Sequence, residues 1–334
     1  MLELKCSVVL TQLVKQGTGT LTLSGVNTFG GGTTVSAGTL KAGSNQAFGV
    51  LAGSITVTSG ATLDLNGTSQ LVANPLTISG IGVGSNGALI NSNTTASATY
   101  SGALTLGAMT YIGGPGNLTL SGAVSSSTGI MFVNSSYVTA TNSSNNVNTI
   151  SGSAVRGLTF VNSAALSVGT VNSVSGFTSA TGPISITTNA GGLAVSQIIS
   201  TTGNLTLSGT ATGTTTALSS TVALTGAAVT LTGSSAAGYA VNISATITAS
   251  AGITVNGTAT TAANIVALNA LTLSTGSTGN ISITANNTSA GASSGIYQTG
   301  SITMNSNGGN ISFISNNTIS QNIVTGKQIG RAHV

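Results

Sequence analysis

Charge is almost missing from this chain of 334 residues: Glu3 and Asp64 are its only acids, and six residues are lysine or arginine. From residue 157 to residue 326 there is no formal charge at all, a composition that ordinary globular enzyme surfaces do not carry. Contact with water falls instead to Ser, Thr and Asn. The few cations are scattered singly, so the sequence pI of about 9.5 reflects no basic patch able to neutralise phosphates, and no nucleic-acid partner is expected. Tryptophan is absent and aromatic residues make up 3%, too few for the two interfacial girdles of a membrane β-barrel. Mean hydropathy is +0.43, yet no uninterrupted apolar run approaches the ~20 residues that span a bilayer as a helix.

The groups that carry chemistry are missing as well. A single cysteine, Cys6, cannot close an internal disulfide, and long chains nearly free of cysteine suit export. Cys6 follows Glu-Leu-Lys rather than an apolar run, which argues against lipoprotein acylation. Transition-metal sites need Cys or His clusters, but one Cys and one His, His333, are all there is. Calcium-binding glycine solenoids need a repeated aspartate, which this chain does not have. Polysaccharide cleavage needs paired acids and bases, and Glu3 and Asp64 lie far apart in sequence. Asp64, in Leu-Asp-Leu-Asn-Gly, reads as a solvated outward strand or turn residue. Arg156 is a lone guanidinium that could contact a sugar or an anion, and is bland by default. Serine is abundant, but nothing is at hand to activate it. Gly30 to Gly32 lacks the lysine and helix start of a phosphate loop and reads as a turn. The sequons at Asn117, Asn204 and Asn310 are by-products of an Asn, Ser and Thr-rich composition. No catalytic, cofactor-binding or metal-binding residue is therefore assigned, no cofactor is expected, the chain is read as not an enzyme, and its ligand-binding residues stay unassigned.

What the sequence does have is a repeated phrase. Thr-Leu-Thr-Leu-Ser-Gly at Thr20 to Gly25 returns as Gly-Asn-Leu-Thr-Leu-Ser-Gly from Gly116 and from Gly203, with looser copies from Gly279 and Gly309. Within these copies apolar residues alternate with hydroxyl residues: Leu21 and Leu23, Leu118 and Leu120, Leu205 and Leu207, Ile281 and Ile283, Ile311 and Phe313. Period two belongs to a β-strand with one dry and one wet face. Similar segments occur at residues 55–58, 63–66, 76–79, 104–106, 184–187, 229–232, 253–256, 271–274 and 302–305, and they rarely exceed six residues. Gly, Asn, Ser and the prolines Pro75, Pro115 and Pro183 punctuate them. Capped helical patterns are missing.

Short strands at such spacing fit tandem β-sandwiches or a β-solenoid. The scarcity of aromatics and surface charge favours the narrow, stacked interior of a solenoid. The expected fold is all-β, a right-handed parallel β-helix and a fragment of one, with about 15 rungs of roughly 20 to 25 residues. Low-complexity disorder is disfavoured because the alternating Leu, Ile and Val have apolar surface to bury. Thr-x-Thr pairs such as Thr56 and Thr58 match an ice-binding solenoid locally, but the phrase recurs unevenly, which argues against that reading.

Residues 13–40 carry, in order, Leu-Thr-Leu-Ser-Gly, Asn-Thr, Gly-Gly-Thr-Thr-Val and Ala-Gly-Thr-Leu. This stretch resembles the autotransporter-associated β-strand repeat of secreted bacterial passenger domains. Gly191 to Gln197 and Asn307 to Asn317 are similar in composition to the shafts of haemagglutinin-type exoproteins. The resemblance implies a passenger or adhesin shaft, secreted to the cell surface of a Gram-negative bacterium. It also implies an outer-membrane translocator missing from this chain, with glycans or proteins of a host or neighbouring cell as ligands. The alternative is a fragment of a β-helical carbohydrate-active enzyme whose catalytic residues lie elsewhere. On this reading residues 1–12 are a doubtful N-terminal segment without a secretion signal, residues 13–324 are passenger repeats, and residues 325–334 are a doubtful tail. Ile329 to Val334 reads like translated sequencing adapter, which would remove Arg331 and His333 from any functional argument.

Overall fold

A computed structural model describes residues 2–3, 12–51, 53–70, 72–261, 264–276, 278–288, 294–316 and 319–320. Cys6, residues 325–334 and the adapter-like segment lie outside the described residues. The chain divides into two compact units, residues 1–160 with 170–174, and residues 161–169 with 175–334. Among the described residues the only helical element is a 3₁₀ turn at Val83–Ser85.

The first unit is built of parallel ladders. One holds seven strands, from Leu13–Lys15 through Thr33–Val35, Ile55–Val57, Leu76–Ile78, Leu104–Leu106 and Val124–Ser126 to Asn146–Val147. Its inward positions stack Ile55 on Leu76 on Leu104 on Val124. A second ladder stacks Leu21, Leu40, Leu63, Leu89, Ile112 and Phe132. A third stacks Ala98, Leu118, Val138 and Leu158. Each ladder contributes one inward column or two, because in a strand alternate side chains share a face. Leu40, Leu63, Leu89, Ile112, Phe132, Val138 and Leu158 are fully buried. Parallel pairing throughout these ladders excludes the antiparallel sandwich.

The second unit repeats the plan. Leu166, Leu193, Leu218, Val241, Val266 and Ile296 form one inward column. Phe177, Ile199, Leu224, Ile247 and Leu273 form the next. The third ladder carries two: Ile184, Leu205, Val229, Ile253, Ile281 and Ile311, and beside them Ile186, Leu207, Leu231, Val255, Ile283 and Phe313. Hydrophobic burial at ~25 cal/mol per Å² is thus spread evenly along a narrow interior.

The recurring Gly-Asn of the sequence phrase has a defined place at the start of these strands. The carbonyls of Asn204, Asn280 and Asn310 accept the amides of Ile184, Ile253 and Ile281 of the preceding turn at 2.9 Å. A Cβ on Gly309 would collide with the Gly279 carbonyl oxygen, and one on Gly279 with that of Ala251. Successive turns approach so closely there that only glycine fits.

Two expectations are corrected. Several strands are longer than six residues: Ile130–Ala140 has 11, Leu224–Ser235 has 12 and Ile247–Ala259 has 13. Each of the last two serves two ladders, and a register shift between Gly226 and Ala228 marks where the strand turns from one to the next. Small residues let the chain bend without breaking its hydrogen bonds. The turn length also grows beyond the expected 20 to 25 residues: Ile281 stands opposite Ile311, 30 residues on, and Leu273 opposite Met304. The extra residues sit in the connections, so the ladder stays in register.

Candidate functional site

The outward faces are lined with hydroxyl groups. In the first unit Thr34, Thr56, Thr77, Thr105 and Ser125 form one column on consecutive strands. Thr99, Thr119, Thr139 and Thr159 form another, in which the Tyr137 hydroxyl lies 2.7 Å from Thr159 Oγ1. The third ladder of the second unit is wider. Its first outward column is Ser185, Thr206, Thr230, Thr254, Ser282 and Ser312; the second is Thr187, Ser208, Thr232, Asn256 and Thr284; the third is Thr210, Ser234, Thr258 and Asn286. Among the described residues, the hydroxyls of Thr206, Thr230, Thr232, Thr254 and Thr284 have no hydrogen-bond partner in the protein. Hydroxyls at the corners behave differently. Ser220 Oγ donates to the Val222 carbonyl at 3.0 Å, Ser235 Oγ to Thr215 at 3.1 Å and Thr275 Oγ1 to Gly279 at 2.8 Å. Corner hydroxyls therefore hold turns together, whereas the array hydroxyls face solvent.

Two shallow troughs interrupt these surfaces. One, of about 340 Å³, lies in the first unit between Thr105, Ser125, Asn146 and Asn148. The other, of about 500 Å³, lies in the second unit, where Gly226, Ala227, Ala249 and Gly276 leave space between Thr225, Thr248 and Ser274. Neither contains a charged side chain.

Asp64 is not the solvated residue expected from the sequence. It is 3% exposed, and both its oxygens are engaged. Oδ1 accepts the amides of Asn66 at 2.9 Å and Ser92 at 3.0 Å, and Oδ2 accepts the Ser92 hydroxyl at 2.6 Å. Lys41, its register neighbour on the preceding turn, places Nζ 3.6 Å from Oδ2 and donates to Ser92 Oγ at 3.3 Å. The carboxylate ties its own turn to the preceding and the following one through charge-assisted interactions. Both oxygens thus serve to hold the turns.

Lys15, 6% exposed, is held in the same manner: its ammonium donates to the carbonyls of Gln16 at 3.0 Å, Gly17 at 2.6 Å and Ala37 at 2.9 Å. Burial pulls its pKa below the ordinary lysine value. The turns are further stapled by asparagine. Asn91 Nδ2 donates to Ala96 and Asn117, while its Oδ1 accepts the amides of Gly67 and Asn93. These interior polar roles were not visible in the sequence, because burial of a polar residue depends on which turn it joins.

Arg156 is exposed and Gly30 to Gly32 lies in the connection before Thr33–Val35, as expected. Of the sequon residues, Asn204 Oδ1 accepts the Ala228 amide at 3.3 Å, and the Asn310 amide donates to Asn280 Oδ1 at 2.8 Å. Nothing is described for the side chain of Glu3 or for His333. Among the described residues no three His, Cys, Asp or Glu side chains stand close enough to hold a metal ion.

Parallel ladders, an aliphatic interior and neutral hydroxyl faces define this chain as a repeat-built β-solenoid. Residues 13–42 match the passenger-associated-transport-repeat family. A stretch of 129 residues is 43% identical to the adhesin BmaC autotransporter of Brucella suis biovar 1 (strain 1330), covering 36% of this chain and 4% of that protein. The chain thus spans about 4% of the length of this curated relative. No solved structure matches the chain.

Proposed function

We propose that this chain is a section of the passenger shaft of an autotransporter adhesin, presented at the cell surface of a Gram-negative bacterium. On this reading residues 13–324 are passenger repeats, the role is structural and adhesive rather than enzymatic, and an outer-membrane translocator belongs to the parent protein. The ligands are glycans or proteins of a host or neighbouring cell. The observation that carries the reading is the pairing of a passenger repeat at residues 13–42 with continuous parallel ladders whose outward positions are neutral and polar. Such ladders bond each turn to its neighbours, which gives a spacer stiffness without charge. The enzymatic alternative is not favoured, since the buried oxygens of Asp64 are already committed to Ser92, Asn66 and Lys41.

Adhesion by the protein itself provides the test. Beads coated with the full chain are expected to adhere to cultured epithelial or bacterial cells more than beads coated with an unrelated neutral protein. Equal adhesion of the two would reject the adhesive role. Release of reducing ends from a polysaccharide panel would reinstate the enzyme.

A further inference from the structure

The hydroxyl array of the second unit's third ladder has a regularity that holding a solenoid together does not require. From Val229 to Ser235 the strand pairs residue for residue with both neighbours, and the register continues unbroken through Ile253–Ala259 to Ile281–Asn287. The bulge at Gly226 to Ala228 falls before the array begins. Outward side chains therefore repeat at ~4.8 Å between turns and at ~6.7 Å along each strand, two residues apart. The spacing between turns is close to one oxygen repeat on the prism faces of hexagonal ice, and the spacing along the strand is somewhat shorter than the other. The uneven recurrence of the phrase in the sequence hides this lattice, because the added residues are absorbed in the connections.

We propose that this face binds the surface of an ice crystal. Threonine is well matched to such a ligand, since its branched Cβ leaves χ1 stiff. Methyl and hydroxyl are fixed before binding, and little side-chain entropy is lost. The array hydroxyls have no protein partner competing for them. No residue from 157 to 326 bears a charge, so no ionic hydration shell disturbs the ordered water. A protein or short glycan would be recognised by a few unlike groups in a concave site, whereas a periodic face is complementary to a periodic ligand. Stacking onto crystalline polysaccharide would need aromatic rings, and the three columns contain none. The first unit's faces do not match it: the Thr34 to Ser125 face presents a single column, and Thr159 in the other is engaged by Tyr137.

The experiment grows ice slowly from a dilute solution of the full chain and measures the fraction of protein retained in the ice. The full chain is expected to be enriched relative to an inert control protein, which the ice excludes. Thr232→Tyr, at the centre of the array, is expected to be excluded like the control, with its circular dichroism unchanged. Thr56→Tyr, on the first unit's face, is expected to enter the ice like the parent chain. Should Thr232→Tyr fail to fold, Thr230→Lys decides by the same readout. Exclusion of the parent chain from ice overturns the proposal, as does undiminished entry of a folded array variant or retention on crystalline polysaccharide in place of ice.

Discussion

The hydroxyl of Tyr100 donates a 2.7 Å hydrogen bond to the carbonyl oxygen of Asn74, on the preceding turn. Asn74 is itself fixed by Nδ2, which donates to Val50 at 2.8 Å and Gly53 at 2.9 Å. Tyr100 is 1% exposed, and burial raises its pKa well above the ordinary tyrosine value of about 10. In the unfolded chain Tyr100 loses its proton near pH 10, whereas in the folded chain it keeps it. The folded state then binds more protons, so stability falls as pH rises above about 10. Lys15 acts in the opposite direction just below its own unfolded value of 10.5, because its lowered folded pKa leaves the unfolded state with more protons there. Urea midpoints measured from about pH 9 to about pH 11 are expected to fall. Tyr100→Phe is expected to flatten the fall, while costing about 1 kcal/mol at neutral pH for the lost bond to Asn74. An equally steep alkaline loss in the variant would show that Tyr100 does not cause it.

Asp64 gives a prediction that separates structure from catalysis. Asp64→Ala leaves the amides of Asn66 and Ser92 and the Ser92 hydroxyl without their acceptor, and Lys41 without its counter-ion. A loss of about 2–3 kcal/mol is expected. Asp64→Asn keeps one oxygen acceptor and is expected to cost less. Both should appear as lowered urea midpoints, and binding to cells should be unaffected where the protein remains folded. A neutral Asp64→Ala would mean that the carboxylate holds nothing together.

The alternation in Leu-Thr-Leu and Ile-Ser-Ile placed the strands well. The segments read at 55–58, 104–106 and 184–187 are strands at Ile55–Val57, Leu104–Leu106 and Ile184–Thr188. Aliphatic residues at every second position can bury only on one face, so this signal is local and survives in any parallel arrangement. The long strands were missed because Gly226, Ala227 and Ala228 look like punctuation; only the ladder on either side shows that the chain keeps its pairing through them. Asp64 was misread for a related reason. Its burial comes from Ser92, 28 residues on, and no local pattern reports on that neighbour. The hydroxyl array was obscured by turn lengths that change while the register does not.

The column through Leu40, Leu63 and Leu89 tests how far a defect travels. All three are fully buried and stand in register on consecutive turns. Leu63→Ala removes the middle of the stack and is expected to cost about 3 kcal/mol. In a solenoid each turn touches only its neighbours, so stability is a sum of local terms. Hydrogen exchange should therefore quicken most at Thr39–Ala42, Thr62–Asp64 and Leu89–Ile90, and fade within a few turns. Uniform acceleration over the whole chain would instead mean that the protein unfolds as one cooperative body.

The glycine that closes the repeated phrase offers the sharpest contrast, because one sequence position meets two structural fates. Gly209, Gly233 and Gly257 stand in register on the third ladder of the second unit, facing inward. A Cβ on Gly233 would overlap the Ala240 carbonyl oxygen, and one on Gly209 that of Ala217. A backbone carbonyl cannot step aside as a side-chain tip can, so Gly209→Ala is expected to destabilise the protein by about 3 kcal/mol, the upper range of overpacking. Gly25 ends the same Leu-Ser-Gly phrase in the first copy, yet a Cβ there meets only Asn27 Oδ1, at 3.7 Å. Gly25→Ala is therefore expected to be neutral or stabilising by a few tenths of a kcal/mol, through reduced freedom of the unfolded chain. Thermal melts of the two single variants decide the matter. Equal losses would mean that the phrase needs its glycine for the turn itself, and not for the closeness of the wall behind it.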